Sequence, residues 1–150
     1  MKIFHITRRH LALAGGLLVI AVGISVFLGG CFQRQKPVSG PPCAASDEER
    51  AAFFAQYGWE IDTRAVETLD LELPTDLSAK WADYVAMQTA QGLPFGDYGG
   101  QTVRRYTYII ANAAQAPQGA QANLYQCGDT IIGADIIYLG EGGGQYGLEQ

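Results

Sequence analysis

Acidic side chains are the groups in this sequence whose types and spacing could support chemistry. Glu60 and Asp62 form one pair at two-residue spacing, and Asp70 and Glu72 form another. Residues two apart in a β-strand project from the same face, so each pair could supply the two carboxyl groups of acid–base catalysis, about 5–9.5 Å apart, or bind a hard cation. The same alternation of acidic and apolar residues is typical of a half-buried strand with one wet face, and we favour this interpretation. The sequence therefore predicts no catalytic residue and no metal ligand.

Asp135 is a different kind of carboxylate, because every neighbour within residues 131–137 is apolar or small. A charge buried there without a partner would cost several kcal/mol. Arg104 and Arg105 are adjacent on a neighbouring predicted strand and point to opposite faces, so one of them can reach Asp135 on either face. We expect a structural ion pair. The alternative is a small cleft in which Asp135 and an arginine bind a polar ligand.

Histidine occurs only in the first ten residues, as His5 and His10. The rest of the chain therefore lacks the imidazole that a Ser-His-Asp triad, a Cys-His pair or a His-ligated zinc site requires. The glycines after residue 139 do not open a helix, so they do not predict a phosphate-binding loop. We expect no cofactor and no enzymatic activity, and a carboxylate-dependent envelope hydrolase is the least favoured alternative.

The N-terminal head has the pattern of an export signal or a membrane anchor. Basic residues precede 20 uncharged residues, 11–30, which as a helix would span about 30 Å, the thickness of the hydrocarbon core of a bilayer. Residues 28–31, Leu-Gly-Gly-Cys, resemble a bacterial lipobox, in which the cysteine is lipidated. Cys31 is therefore a candidate lipidation site, and an uncleaved transmembrane anchor is the alternative.

Charge divides the chain into two unlike parts. Five of the ten basic residues lie in the first 36 positions, whereas residues 37–150 carry five basic and 15 acidic side chains, a net charge of −10. The basic head favours a cytoplasmic N-terminus, with the rest of the chain on the extracytoplasmic side of the cell membrane. The negative domain is not expected to bind nucleic acid. We expect a membrane-tethered, non-catalytic module that binds an unknown protein, peptide or glycan, with a structural or accessory envelope protein as the alternative.

Composition and periodicity divide the chain into four segments. They are a signal peptide or anchor at 1–31, a flexible spacer at 32–45, a globular domain at 46–139 and a Gly-rich tail at 140–150 that we expect to fray. Ser46 begins a capping box for a short helix that ends at Gly58, and a second helix is predicted from Thr75 or Asp76 to about Gln91.

Strands are predicted at 59–62, 68–73, 102–112, 120–127 and 130–139, and Gly128 and Asp129 form the turn of a hairpin. Trp59, Ile61, Leu69, Leu71 and Leu73 are the predicted core residues of the first two strands. This order predicts an α+β fold, with a mainly antiparallel sheet of about five strands and two helices packed on one side.

Cysteines and tyrosines each leave two interpretations open. Cys43 and Cys127 can form a disulfide in an oxidising compartment if their Cα atoms approach within about 7 Å, and two free thiols are the alternative. The domain is also rich in tyrosine. We expect the sheet to bury some of these rings, whereas an exposed aromatic row would bind a glycan or a peptide.

Several short sequence words occur in an order that resembles one family. They are Tyr57-Gly58-Trp59-Glu60, Leu73-Pro74, Gln88 with Gln91-Gly92, Tyr98-Gly100, Arg105-Tyr106-Thr107-Tyr108 with Asn112, and Ile132-Gly133-Ala134-Asp135. With these words the chain resembles the domain of unknown function 4830 from about Glu48 to Leu148. Ala134 departs from the resemblance by replacing a glycine, and the Gly-rich tail departs from it as well. The resemblance implies a discrete domain behind an N-terminal anchor, and it implies no activity.

Overall fold

The computed structural model describes residues 40–149, which form two α-helices, one short 3-10 helix and five β-strands. In chain order these elements are α1 (Asp47–Ala55), β1 (Glu67–Glu72), α2 (Ala82–Ala90), the 3-10 helix (Phe95–Tyr98), β2 (Thr102–Ile110), β3 (Ala120–Cys127), β4 (Thr130–Tyr138) and β5 (Gln145–Tyr146). The α+β class predicted from the sequence is confirmed. The predicted anchor at 11–30 and Cys31 lie outside the described residues, and no helix within 40–149 is long and apolar enough to cross a membrane.

The five strands form one antiparallel sheet in the order β1-β2-β3-β4-β5, so each strand lies beside its neighbour in sequence. Gly128 has a φ of 58° and forms, with Asp129, the predicted hairpin turn between β3 and β4. Thr107, Asn123 and Asp135 are aligned across three strands, and so are Tyr108, Ala122 and Ile136. Because successive residues point to opposite faces, these two rows define the Asp135 face and the Tyr108 face.

The two helices lie on opposite faces of the sheet, which corrects the prediction that both pack on one side. Phe54 of α1 packs against Tyr108 with ring centroids 6.1 Å apart. Tyr84 of α2 packs at the same centroid distance against Tyr125, which belongs to the Asp135 face. The central strands β3 and β4 are buried along most of their length, so both faces carry side chains that need a cover.

The first helix begins as predicted, whereas the second begins later. The Ser46 hydroxyl accepts a hydrogen bond from the Glu49 amide at 3.2 Å, which is the expected N-terminal cap of α1. Asp76 accepts hydrogen bonds from the amide and hydroxyl of Ser78, at 2.8 and 2.5 Å. Such local side-chain bonds stabilise a turn in competition with helix, and α2 starts only at Ala82.

The fifth strand comes from the tail and not from residues 59–62. Ile61 makes a single bridge to Ile110, and Trp59 is buried with its indole Nε1 donating to the Leu148 carbonyl at 2.7 Å. Leu148 is itself fully buried. The prediction of a frayed tail is therefore wrong, because a single apolar anchor and the pairing of β5 with β4 attach these residues to the domain.

Candidate functional site

Asp135 is fully buried on β4, where it belongs to a polar network that crosses three strands. Its Oδ2 accepts a hydrogen bond from the Tyr84 hydroxyl at 2.7 Å, and its Oδ1 accepts one from Nδ2 of Asn123 at 2.9 Å. Oδ1 of Asn123 in turn accepts from the Thr107 hydroxyl at 2.8 Å. The network joins α2 to β4, β3 and β2 and satisfies both carboxyl oxygens.

Neither arginine forms the ion pair with Asp135 that the sequence predicts. Arg104 lies on the Tyr108 face and bonds both carboxylate oxygens of Asp70, at 2.6 and 2.9 Å. Arg105 shares the Asp135 face, but its guanidinium binds Glu67. Asp70 and Glu67 lie on β1, which is the strand next to β2, whereas Asp135 lies two strands away. The arginines therefore pair with the closer carboxylates.

Burial has the largest influence on the Asp135 carboxyl and raises its pKa above the ordinary value for aspartate. The hydrogen bonds from Asn123 and Tyr84, and the charge of Arg105, act in the opposite direction. Burial and the adjacent Asp135 charge raise the pKa of the Tyr84 hydroxyl far above its ordinary value, so this group keeps its proton. The arrangement is a buried structural network and not an acid–base pair open to a substrate.

The two acidic pairs do not converge on a cleft. Glu60 and Asp62 are exposed, in a segment that is not a strand. Asp70 is bound by Arg104, whose hydrogen bonds lower the pKa of the Asp70 carboxyl, and Glu72 is exposed. Within residues 40–149, no three histidine, cysteine or acidic side chains are grouped so that they could hold a metal ion.

Arg50 on α1 is a buried charged residue that the sequence analysis did not single out. Its Nε donates to the Tyr108 hydroxyl at 2.8 Å, Nη1 to the Gln126 amide oxygen at 3.0 Å and Nη2 to Asp47 at 2.9 Å. The guanidinium also stacks 4.0 Å from the centre of the Tyr106 ring. These contacts fasten α1 to the Tyr108 face of the sheet.

The sequence did contain a signal for Arg50. Arg50 precedes Phe53 and Phe54 by three and four residues, and all three are buried on the same stripe of α1. A charged residue on the apolar stripe of a helix needs a polar partner inside the protein. The partner itself could not be identified from the sequence, because Tyr108 lies 58 residues further along the chain.

Helix α2 meets β4 through bonds between side chains and backbone. Gln88 is fully buried, and its amide donates to the Ala134 carbonyl at 2.9 Å and accepts from the Ala134 N–H at 2.8 Å. This amide takes the place of a neighbouring strand at the edge of β4. Gln91 donates to the same carbonyl at 3.2 Å.

Gly133 lies next to this contact on β4. At Gly133 an added Cβ would lie 2.8 Å from the Phe95 ring, so only glycine fits there without movement.

The sequence words that resemble the family contact one another in pairs. The Asn112 side chain accepts from the Glu60 amide at 3.0 Å and donates to the Gly58 carbonyl at 2.8 Å. The Gly100 amide donates to the Leu73 carbonyl at 3.1 Å. The contact between α2 and β4 joins a third pair of words. The words therefore mark places where distant segments are fastened together, and they do not assemble one open site.

Cys43 and Cys127 are free thiols, which corrects the disulfide considered from the sequence. Cys127 pairs with Thr130 from one side, and Cys43 makes a bridge to Thr130 from the other. Two strand spacings amount to roughly 10 Å, whereas a disulfide needs Cα atoms within about 7 Å. The alternative of two free thiols is therefore the one the structure favours.

The tyrosines do not form an exposed aromatic row. Tyr108 and Tyr125 are buried on opposite faces of the sheet. Tyr98, Tyr106 and Tyr138 are half-buried. The interpretation in which the sheet buries some of these rings agrees with the structure.

Strand β1 is the most accessible of the four strands that have six or more residues. Five of its six residues are exposed and Leu71 is half-buried. Leu69, which the alternation predicts as a core residue, is 41% exposed. Beside β1, on the Tyr108 face, lies a groove of about 300 Å³ whose lining includes Arg104 and Tyr106. Within residues 40–149, the outer edge of β1 is one surface that no other strand covers.

Comparison with known protein families places most of the described domain in a family. A family model described as Domain of unknown function (DUF4830) matches residues 53–136, from α1 to β4. No curated protein and no solved structure matches the chain. The matched range contains all three pairs of contacting words.

Proposed function

Because the chain belongs to the family of the domain of unknown function 4830, which carries no assigned activity, we propose its function from its own geometry. The proposed function is that of a non-catalytic binding module, tethered to the cell membrane through its N-terminus with the domain on the extracytoplasmic side. The observation that carries this proposal is that the domain uses its buried polar side chains for internal contacts while one edge of its sheet stays open.

The buried polar groups are held by partners within the domain. Asp135, Arg50 and Gln88 each form two or more hydrogen bonds with other residues in the range 40–149. Nε of Arg105 is the buried side-chain polar atom in this range that lacks a hydrogen-bond partner, and its guanidinium is engaged by Glu67. A catalytic acid or base must reach a substrate, so this arrangement supports recognition at the surface over reaction in a cleft.

The tether is supported by sequence alone. A basic head, 20 uncharged residues and the Leu-Gly-Gly-Cys motif precede the negatively charged domain. Metabolic labelling with a fatty acid, followed by membrane fractionation, tests it. Loss of label in Cys31→Ser, with label retained in the control Cys43→Ser, indicates a lipoprotein. A chain that is membrane-bound and unlabelled in all forms indicates a transmembrane anchor, and a chain absent from membranes contradicts the tether.

Binding is tested by thermal melting of the full chain in a non-ionic detergent, with saccharides, extended peptides and divalent cations added separately. A ligand at 100 times its dissociation constant adds about 2.7 kcal/mol to the stability of the domain. We expect one of these classes to raise the melting temperature and to be recovered unchanged. A raised melting temperature with chemical conversion of the ligand would contradict the non-catalytic role. No shift with any class would contradict binding and favour a structural or accessory envelope protein.

A further inference from the structure

The two edges of the sheet are treated differently by the fold. The outer edge of β4 is covered along its length by three separate sets of hydrogen bonds. Backbone bonds of 2.8 Å join Ile131 to Pro42 and Ala44 to Asp129, the Gln88 amide binds Ala134, and β5 pairs with Ile136 and Ile137. The domain therefore closes this edge against further strands.

The outer edge of β1 has no such cover within residues 40–149. β1 ends the sheet, and no strand or bridge in this range pairs with its outer side. The Leu73 amide donates to the Gln101 carbonyl on the inner side at 2.9 Å. Because antiparallel bonds recur at every second residue, the N–H groups of Thr68, Asp70 and Glu72 point outward. These N–H groups are therefore placed to form backbone hydrogen bonds with an added strand.

The side chains beside this edge differ between the two faces. Asp70 and Glu72 lie on the Tyr108 face, where Arg104 balances one of the two charges. Leu69 and Leu71 lie on the Asp135 face, together with Glu67, whose charge Arg105 balances. A strand added here would therefore meet excess negative charge on one face and aliphatic side chains on the other. The net charge of −10 over residues 37–150 strengthens the attraction for a basic partner.

We propose that β1 binds an extended segment of another protein whose residues alternate between basic and aliphatic, and that this segment adds to the sheet as a further antiparallel or parallel strand. Backbone bonds to Thr68, Asp70 and Glu72 hold the segment. Its basic side chains lie beside Glu72 and Asp70, and its aliphatic side chains lie beside Leu69 and Leu71. This inference rests on the proposed binding function and names the class of its partner.

A second copy of the chain is the less suitable occupant. Antiparallel pairing of β1 with itself would bring the acidic residues of one copy close to those of the other, and like charges on paired strands are destabilising. Charged residues on an edge strand commonly prevent such self-association. The acidic edge therefore discriminates against the chain itself and in favour of a basic segment.

The test uses the full chain in a non-ionic detergent and a fluorescent, end-capped peptide of alternating lysine and valine. Thr68→Pro removes an outward N–H without removing a bond to β2, and Thr68→Ala is the matched control that keeps the N–H. We expect Thr68→Pro to weaken peptide binding by about tenfold or more and Thr68→Ala to change it by less than about twofold. A peptide of alternating glutamate and valine should not bind.

Equal binding to Thr68→Pro and to the wild type would overturn the proposal, because general attraction to the acidic domain would then explain the affinity. Binding of the glutamate peptide, or a dimer of the chain that Thr68→Pro disrupts, would also overturn it.

If Thr68→Pro does not fold, Glu72→Lys replaces it as the test variant. Glu72→Lys should weaken binding of the lysine–valine peptide by at least about threefold, and an unchanged affinity would overturn the proposal. A melting shift with a saccharide or cation, without peptide binding, would refute the strand-addition proposal while leaving the binding module intact.

Discussion

Replacement of Gln88 tests the contact that joins α2 to the edge of β4. Gln88→Met keeps the volume of the side chain and removes both amide hydrogen bonds to Ala134. The Ala134 carbonyl keeps its bond from Gln91 at 3.2 Å, whereas the Ala134 N–H loses the bond it makes to Gln88. A buried N–H left without a partner costs about 1–3 kcal/mol, so we expect this loss in the free energy of unfolding.

Gln88→Ala adds a packing defect to the loss of hydrogen bonds. Truncation of a buried side chain of this size to alanine brings the total cost to about 3–5 kcal/mol. This is a large part of the free energy of unfolding of a small domain, which is typically about 5–15 kcal/mol. The difference between the alanine and methionine variants therefore measures packing, and the methionine variant alone measures the polar contact.

Urea unfolding of the full chain in a non-ionic detergent, followed by tryptophan fluorescence, gives both values. Trp59 is buried in the main core and Trp81 packs beside α2, so the signal reports on both faces of the sheet. Thr89→Ala is the matched control, because Thr89 is exposed on the same helix, and it should stay within about 0.5 kcal/mol of the wild type. Wild-type stability in Gln88→Met would refute the role of the amide.

Three further predictions concern the buried contacts. Arg50→Lys should lower the free energy of unfolding by about 2 kcal/mol, because an ammonium cannot reach all three acceptors; a loss below about 0.5 kcal/mol in urea unfolding would contradict this. Gly133→Ala should cost about 1–3 kcal/mol through its contact with Phe95, and a double-mutant cycle with Phe95→Leu should show a smaller cost; additive effects would contradict the clash. The raised pKa of Asp135 means that its carboxyl favours folding most below its unfolded pKa of about 3.9, and that this contribution is lost as the pH rises through the folded pKa. The stability of the wild type relative to Asp135→Asn should therefore be greater near pH 4 than near pH 7, and the opposite trend would contradict burial as the dominant cause.

Features encoded by neighbouring residues were predictable from the sequence. The cap at Ser46, the hairpin at Gly128 and Asp129, and the three long strands each depend on a few adjacent positions. Local hydrogen bonding and alternation are sufficient to specify such elements. The α+β class followed from their order.

Features that depend on distant partners were not predictable. The choice of Asp70 by Arg104 follows from the pairing of β1 with β2, and the burial of Leu148 depends on Trp59, 89 residues away. Residues 131–137 of β4 are apolar or small apart from Asp135, a pattern typical of a strand that is buried on both faces and therefore consistent with helices on opposite sides of the sheet.

Amide hydrogen exchange along β1, measured with and without the lysine–valine peptide, tests most directly whether the outer edge of β1 is the binding surface. In the free chain we expect the amides of Thr68, Asp70 and Glu72 to exchange rapidly, and those of Leu69 and Leu71 to be protected by β2. The peptide should slow exchange at the first three amides. Binding of the peptide with unchanged exchange at these positions would contradict strand addition at this edge.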